Sequence, residues 1–172
     1  MKPFLVYRGQ KYSQEEFEQF LTQQDGVISF NNFLLTSTQK EAAMEYVQHA
    51  LHKHRNHVCV LFIVTINPNK VSIPTIPFAF IDKCSVNPQK HEVLFSTHTA
   101  FRVGEMKQMA GNNRLWEVQL TLTTANDSEM AALTQALRKD IDGTGWNRIA
   151  KLVQRVGKFD LAEEIYKNLF NM

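Results

Sequence analysis

The sequence predicts an α+β domain over residues 1–125 and a helical tail over 126–172, and three observations carry that reading. Two early segments place apolar residues at helical spacing behind capping boxes, Ser13-x-x-Glu16 and Thr38-x-x-Glu41. From Val58 onward the apolar residues run on continuously or alternate, as in buried and half-buried strands. After Thr124 the chain turns to amphipathic, charged helical stretches separated by glycines. Two helices ahead of a run of strands make an α+β domain and not a βαβ repeat.

Phe4 to Arg8 reads as a strand stopped by Gly9. Ser13 opens a short helix to about Leu21, and the turn Asp25-Gly26 leads into an extended stretch from Val27 to Leu34. The longer helix behind Thr38 and Glu41 offers one buried stripe: Ala43, Tyr46, Val47, Ala50 and Leu51. Val58 to Ile66 is β-branched and aromatic throughout, the mark of a central strand. Pro68, Pro74 and Pro77 mark an irregular crossing before a segment from Ala79 to Cys84. Glu92 to Phe95 and Phe101 to Met109 are two further strands. Gly111-Asn112-Asn113 is a turn, with Trp116, Val118, Leu120 and Leu122 alternating behind it. Residues 127–141 suit a helix capped by Asn126 or Asp127, and Asp142-Gly143-Thr144-Gly145 breaks it. Trp146 to Met172 reads as a helical hairpin with Gly157 at its turn.

Composition narrows the function classes. Nineteen Lys and Arg against 17 Asp and Glu leave a net charge of +2, too little to predict a nucleic-acid or anionic-membrane partner. The longest apolar run, Val58 to Ile66, falls far short of the roughly 20 residues that span a bilayer. No secretory pattern opens the chain, so the expected compartment is the cytoplasm. Cys59 and Cys84 are too few for a disulfide scaffold. His49, His52, His54 and His57 have no Cys or carboxylate at ligand spacing, so they read as a solvated helix end and no metal is expected. No GxGxxG follows a strand, which excludes a Rossmann oxidoreductase.

Three motifs remain: Val6-Tyr7-Arg8-Gly9 on the first strand, Phe30-Asn31-Asn32-Phe33-Leu34-Leu35-Thr36-Ser37 leading into a helix, and Lys90-His91-Glu92-Val93-Leu94-Phe95. With Phe101-Arg102-Val103-Gly104 behind them, their order and spacing resemble the mono-ADP-ribosyltransferases of the Arg–Ser–Glu class, over about residues 4–124. The resemblance implies two small packed β-sheets flanked by helices, with NAD as substrate in a cleft between them. It implies Glu92 as the catalytic carboxylate that steadies positive charge on the ribose, as in glycoside hydrolysis. Arg8 would grip the dinucleotide phosphates, and Gly9 would let backbone approach the nicotinamide carboxamide. Tyr46 would stack on nicotinamide, with Asn32, Thr36 and Ser37 lining the same pocket.

Two departures bear on activity. The middle motif of the family is usually Phe-x-Ser-Thr-Ser, and Leu35 stands at its first Ser. Thr36 and Ser37 keep the other two places, and they also suit a plain helix start. Lys90, which taken alone reads as a solvated residue, stands where arginine-modifying members carry a second Glu. The resemblance therefore implies transfer of ADP-ribose to a protein side chain other than arginine, or to water. The alternative is a weak or inactive NAD-binding or interaction module. Trp146, Ile149, Ala150, Val153, Gly157, Phe159, Ala162, Tyr166 and Leu169 resemble a single tetratricopeptide repeat over 146–172, a candidate surface for a peptide partner. One repeat cannot bury its own apolar face, so either the tail docks on the preceding domain or the chain is cut from a longer repeat protein, and the second is the expectation.

Overall fold

The first strand, β1 (Phe4–Ser13), pairs antiparallel with β4 (His57–Ile66) along its whole length, from Phe4↔Ile66 to Ser13↔His57. Gly9 therefore sits inside β1 and does not end it. The computed structural model that shows this describes residues 2–70, 76–81, 88–123, 135, 145–155 and 159–170. The chain divides into two units, Met1–Thr124 and Ala125–Met172. The first contains α1 (Gln14–Leu21), β2 (Val27–Ser29), β3 (Leu34–Ser37), α2 (Lys40–Lys53), β5 (Phe78–Phe80), β6 (Glu92–Phe95), β7 (Ala100–Gln108) and β8 (Leu115–Leu122). The second contains the helical pair α3 (Gly145–Arg155) and α4 (Phe159–Phe170). Apart from residue 135, which is helical, the expected helix over 127–141 lies outside the described residues, as do the Gly157 turn and the strand end at Cys84. No described helix is long and apolar enough to cross a membrane.

Hydrogen bonding links the strands into one mixed sheet of order β2-β7-β8-β4-β1-β3-β6-β5, with β4 and β8 parallel. The expected pair of small sheets survives as two parts of it. β2, β7, β8, β4 and β1 form one part and β3, β6 and β5 the other, joined at the single register pair Tyr7↔Ser37. The parts pack on each other: Val93 and Phe95 share a core with Val6, Phe62 and Phe101. The Phe95 and Phe101 rings meet edge-on at 5.2 Å. α1 closes one end, its capping box intact, with Phe17 buried against Trp116 and Phe20 stacked on Tyr12.

β4 is buried on both faces, which is why its sequence does not alternate. Val58, Val60, Phe62, Val64 and Ile66 enter the core between the two sheet parts, while Cys59, Leu61 and Ile63 pack under α2. α2 buries Ala43, Val47, Ala50 and Leu51, but Tyr46 stands 46% exposed and is no part of the predicted stripe. Two local expectations also change. Thr38 does not cap α2, whose N-cap is Gln39 with no side-chain cap bond. The Thr38 N–H instead donates to His91 O at 3.1 Å, so a partner from a distant segment replaces the local box. The stretch from Val27 is interrupted over 30–33, because β2 pairs with β7 and β3 with β1 and β6.

The far end of α2 is held by one side chain. Arg114 donates from Nη1 to His54 O at 3.1 Å and Arg55 O at 3.0 Å, and from Nη2 to Leu51 O at 3.4 Å. A guanidinium there satisfies carbonyls the helix leaves open and complements its negative end. Arg114→Ala should lower unfolding stability by about 1–2 kcal/mol, read as a reduced urea midpoint at unchanged m-value. Close by, Lys11 Nζ lies 3.2 Å from His54 Nε2, an approach that requires a neutral, accepting ring. Partial burial, then Lys11 and His57, hold the His54 pKa below its usual value. A histidine lowered in the folded state binds protons more readily when unfolded, so its stability contribution is present above about pH 6.5 and lost as pH falls below it. Urea melts at about pH 7.5 and 5.5 should show that loss, and His54→Gln should flatten it.

Candidate active site

The cleft lies where β3 leaves β1. Cys59 N donates to Arg114 O on the β8 side, so the odd residues of β4 turn their backbone groups toward β8 and the even ones toward β1. Through the β1–β4 register, even residues of β1 bond β4, and Tyr7 and Gly9 turn their N–H and C=O groups the other way. Tyr7 meets Ser37 there. Continued pairing would set Gly9 opposite Leu35, but the strands have parted, and the gap opens as a cleft of about 200 Å³. That is below the roughly 300–1,000 Å³ that encloses a drug-sized ligand, so a dinucleotide seated here keeps part of itself outside.

Arg8 spans the gap. Its Nη1 donates to Leu35 O at 2.7 Å and its Nη2 to Gln10 Oε1 at 3.1 Å, while Nε is buried with no hydrogen-bond partner among the described residues. Burial lowers its pKa, and the electrostatic influence of Tyr46 and Tyr12 opposes that shift. The group remains a cation, and the two acceptors that hold it are neutral and do not cancel its charge.

Across the gap, β3 pairs with β6 so that Ser37 faces Glu92, Thr36 faces Val93 and Leu35 faces Leu94. Side chains alternate along a strand, which places Leu35, Ser37 and Glu92 on one face and Thr36 on the other. Thr36 is buried and donates its hydroxyl to Val93 O at 2.9 Å. Ser37 Oγ donates to Lys90 O and accepts from Gln39 N at 2.9 Å, which ties the turn Pro88–Lys90 to the start of α2. His91, at φ +45°, reverses the chain between that turn and β6. Lys90 and Glu92 are both half-buried and line the cleft, so Lys90 is not the solvated residue its sequence context suggests.

α2 forms the third wall, with Ala42, Ala43 and Tyr46 at the cleft. It lies so close to β1 that a Cβ on Gly9 would stand 2.7 Å from Ala43 O and 2.8 Å from Tyr46 Cδ1. Helix packing alone therefore demands glycine at position 9. Of the residues singled out from sequence, Arg8, Gly9, Thr36, Ser37, Tyr46 and Glu92 all line this cleft. Asn32 does not line it and stands exposed in the 30–33 bend. The cleft residues missed from sequence include Tyr7 and Ala43, which carry no chemical signal and are brought there by the strand junction and the helix approach. Among the described residues no three His, Cys, Asp or Glu side chains gather as metal ligands would.

The model of a family described as NAD:arginine ADP-ribosyltransferase matches residues 2–128. No curated protein matches the chain. Among solved structures, the chain is similar to the ADP-ribosyltransferase Vis from Vibrio splendidus, in its complex with agmatine. The TM-score is 0.54 at 20% identity, over 72% of this chain and 50% of that one. The ADP-ribosyltransferase HopU1 of Pseudomonas syringae pv. tomato gives 0.52 at 15% identity, over 70% and 45%. At such identities the likeness is one of fold. The chain spans half the length or less of these two structures.

Gly9 offers a direct test of the α2 approach. Gly9→Ala must push a backbone carbonyl and two side chains aside, and should cost about 1–3 kcal/mol in urea unfolding. Gly104→Ala, whose added methyl would meet Gln119 at an ordinary 3.5 Å, is the control and should cost less.

Proposed function

The chain belongs to the NAD:arginine ADP-ribosyltransferase family, and from that premise we propose that it is a mono-ADP-ribosyltransferase with NAD as its substrate. The observation that carries the reading is the meeting, at one break in the sheet, of a half-buried cation held by neutral acceptors, backbone groups turned into the gap, and a carboxylate on β6 across it. Arg8 offers its remaining N–H groups to a diphosphate, the orphaned Nε among them. Gly9 presents backbone to a carboxamide beneath the exposed Tyr46 ring. Glu92 lies across the gap from both, where a carboxylate favours positive charge on a ribose.

In the proposed reaction the bond between nicotinamide and ribose C1′ breaks, and its electron pair leaves with nicotinamide, cancelling the pyridinium charge. Glu92 stabilises the charge that grows on the sugar meanwhile. The acceptor closes on C1′ and gives its proton to solvent. The acceptor is a protein side chain other than arginine, or water. Lys90 lines the cleft two residues before Glu92, and Glu92 is the one carboxylate among the described lining residues, so an incoming guanidinium meets like charge. Leu35 favours a second reading, a weak or inactive NAD-binding module, since it puts an alkyl chain where the family has a hydroxyl. On either reading residues 1–125 carry the chemistry. The 126–172 tail, with its tetratricopeptide-like helical pair, carries any peptide partner.

Incubation with NAD, with free nicotinamide followed by chromatography, tests this. The wild-type protein should release nicotinamide, and Glu92→Ala should lower the rate about hundredfold or more. Calorimetric NAD affinity should stay within about threefold in that variant. Binding without release would favour the second reading, and no NAD binding would remove both.

A further inference from the structure

We infer that Gln10 is a positioning residue for Arg8, setting the guanidinium to meet a diphosphate; this rests on the NAD reading above. Residues 8 and 10 share a face of β1, both in register with β4, opposite Phe62 and Val60. Gln10 Oε1 accepts from Arg8 Nη2 at 3.1 Å, and its Nε2 lies 3.5 Å from Lys11 O. A guanidinium has donors alone, so the amide must show it the oxygen and turn its NH₂ away. Leu35 O fixes the other terminal nitrogen at 2.7 Å. The planar group is thereby held at both ends, and its orientation is set before a ligand arrives. Both holding groups are neutral. A carboxylate at position 10 would hold Arg8 more tightly, but it would also cancel the charge and repel an anionic ligand. An amide orients the cation and leaves its charge available. A free arginine side chain would have to give up rotamer freedom on binding, and two fixed bonds have already removed it.

ADP-ribose and nicotinamide, titrated separately by calorimetry, separate this role from general support of the fold. Gln10→Met keeps the length of the side chain and removes the acceptor. It should weaken ADP-ribose about five- to tenfold and leave nicotinamide within about twofold. In an Arg8→Lys background, where the planar fork is gone, the same substitution should change ADP-ribose affinity by less than about twofold. Unchanged ADP-ribose affinity in Gln10→Met, an equal loss for both ligands, or full additivity with Arg8→Lys would each overturn the inference. Wild-type protein that takes up neither ligand would overturn the NAD reading itself, and that shows before any variant is measured.

Discussion

Tyr7 opposite Ser37 is the single register pair that joins the two parts of the sheet, and the cleft exists because the strands separate just past it. β1 goes on beside β4 to Ser13 while β3 departs with β6. One backbone pair contributes at most a few kcal/mol net. The alignment of the two parts therefore rests on the apolar core they share, in which Leu34, Val93 and Phe95 from one side meet Val6, Phe62 and Phe101 from the other. Arg8 adds a charge-assisted bond across the opening. A side chain suited to a ligand phosphate thus also holds the second wall of the site.

The electrostatics of the cleft follow from the same geometry. Among the described lining residues, Arg8 and Lys90 bring two positive charges and Glu92 one negative charge. The early residues of α2, Ala42 and Ala43, lie there as well, so the positive end of that helix dipole adds to the field. This balance suits the diphosphate of the proposed substrate. The carboxylate sits on β6, opposite Ser37 and two residues after Lys90, while Arg8 comes from β1. Rigid placement matters more than the number of charges, since preorganised groups spend nothing on reorienting when charge develops.

Much of this was legible in the residues. The continuous run of β4, the Ser13 box and the alternation of β8 each reflect a local or two-face requirement that sequence patterns carry directly. That Arg8 and Glu92 would come together at one cleft was legible because their neighbours match a known pattern. What was not legible depended on distant partners. Gly9 resembles a strand end until Ala43 O is seen above it. Thr38 has a complete local capping box, yet His91 O takes its N–H. Tyr46 has core periodicity, but the sheet opens beneath it and leaves it exposed. Asn32 follows the motif spacing while the 30–33 bend keeps it off the cleft.

The replacement at position 35 shows how register decides a question that spacing leaves open. Thr36 and Ser37 both keep hydroxyls beside the lost one, so either could stand in for it on sequence alone. Strand alternation puts Thr36 on the core face, where its proton is spent on Val93 O. Ser37 shares the face of Glu92 and faces it in register, but its proton goes to Lys90 O and one lone pair to Gln39 N. Ser37 is thus committed to holding the turn before Glu92, and donating to the carboxylate would mean releasing that turn. A hydrogen bond to a charged group is worth about 1.5–3 kcal/mol, so its loss at position 35 corresponds to roughly ten- to hundredfold in rate. That is a reduction on the scale of one interaction. The proposed phosphate grip, the backbone of Gly9 and the Glu92 strand owe nothing to the missing hydroxyl, so the proposed reaction is one that this replacement would slow and not abolish.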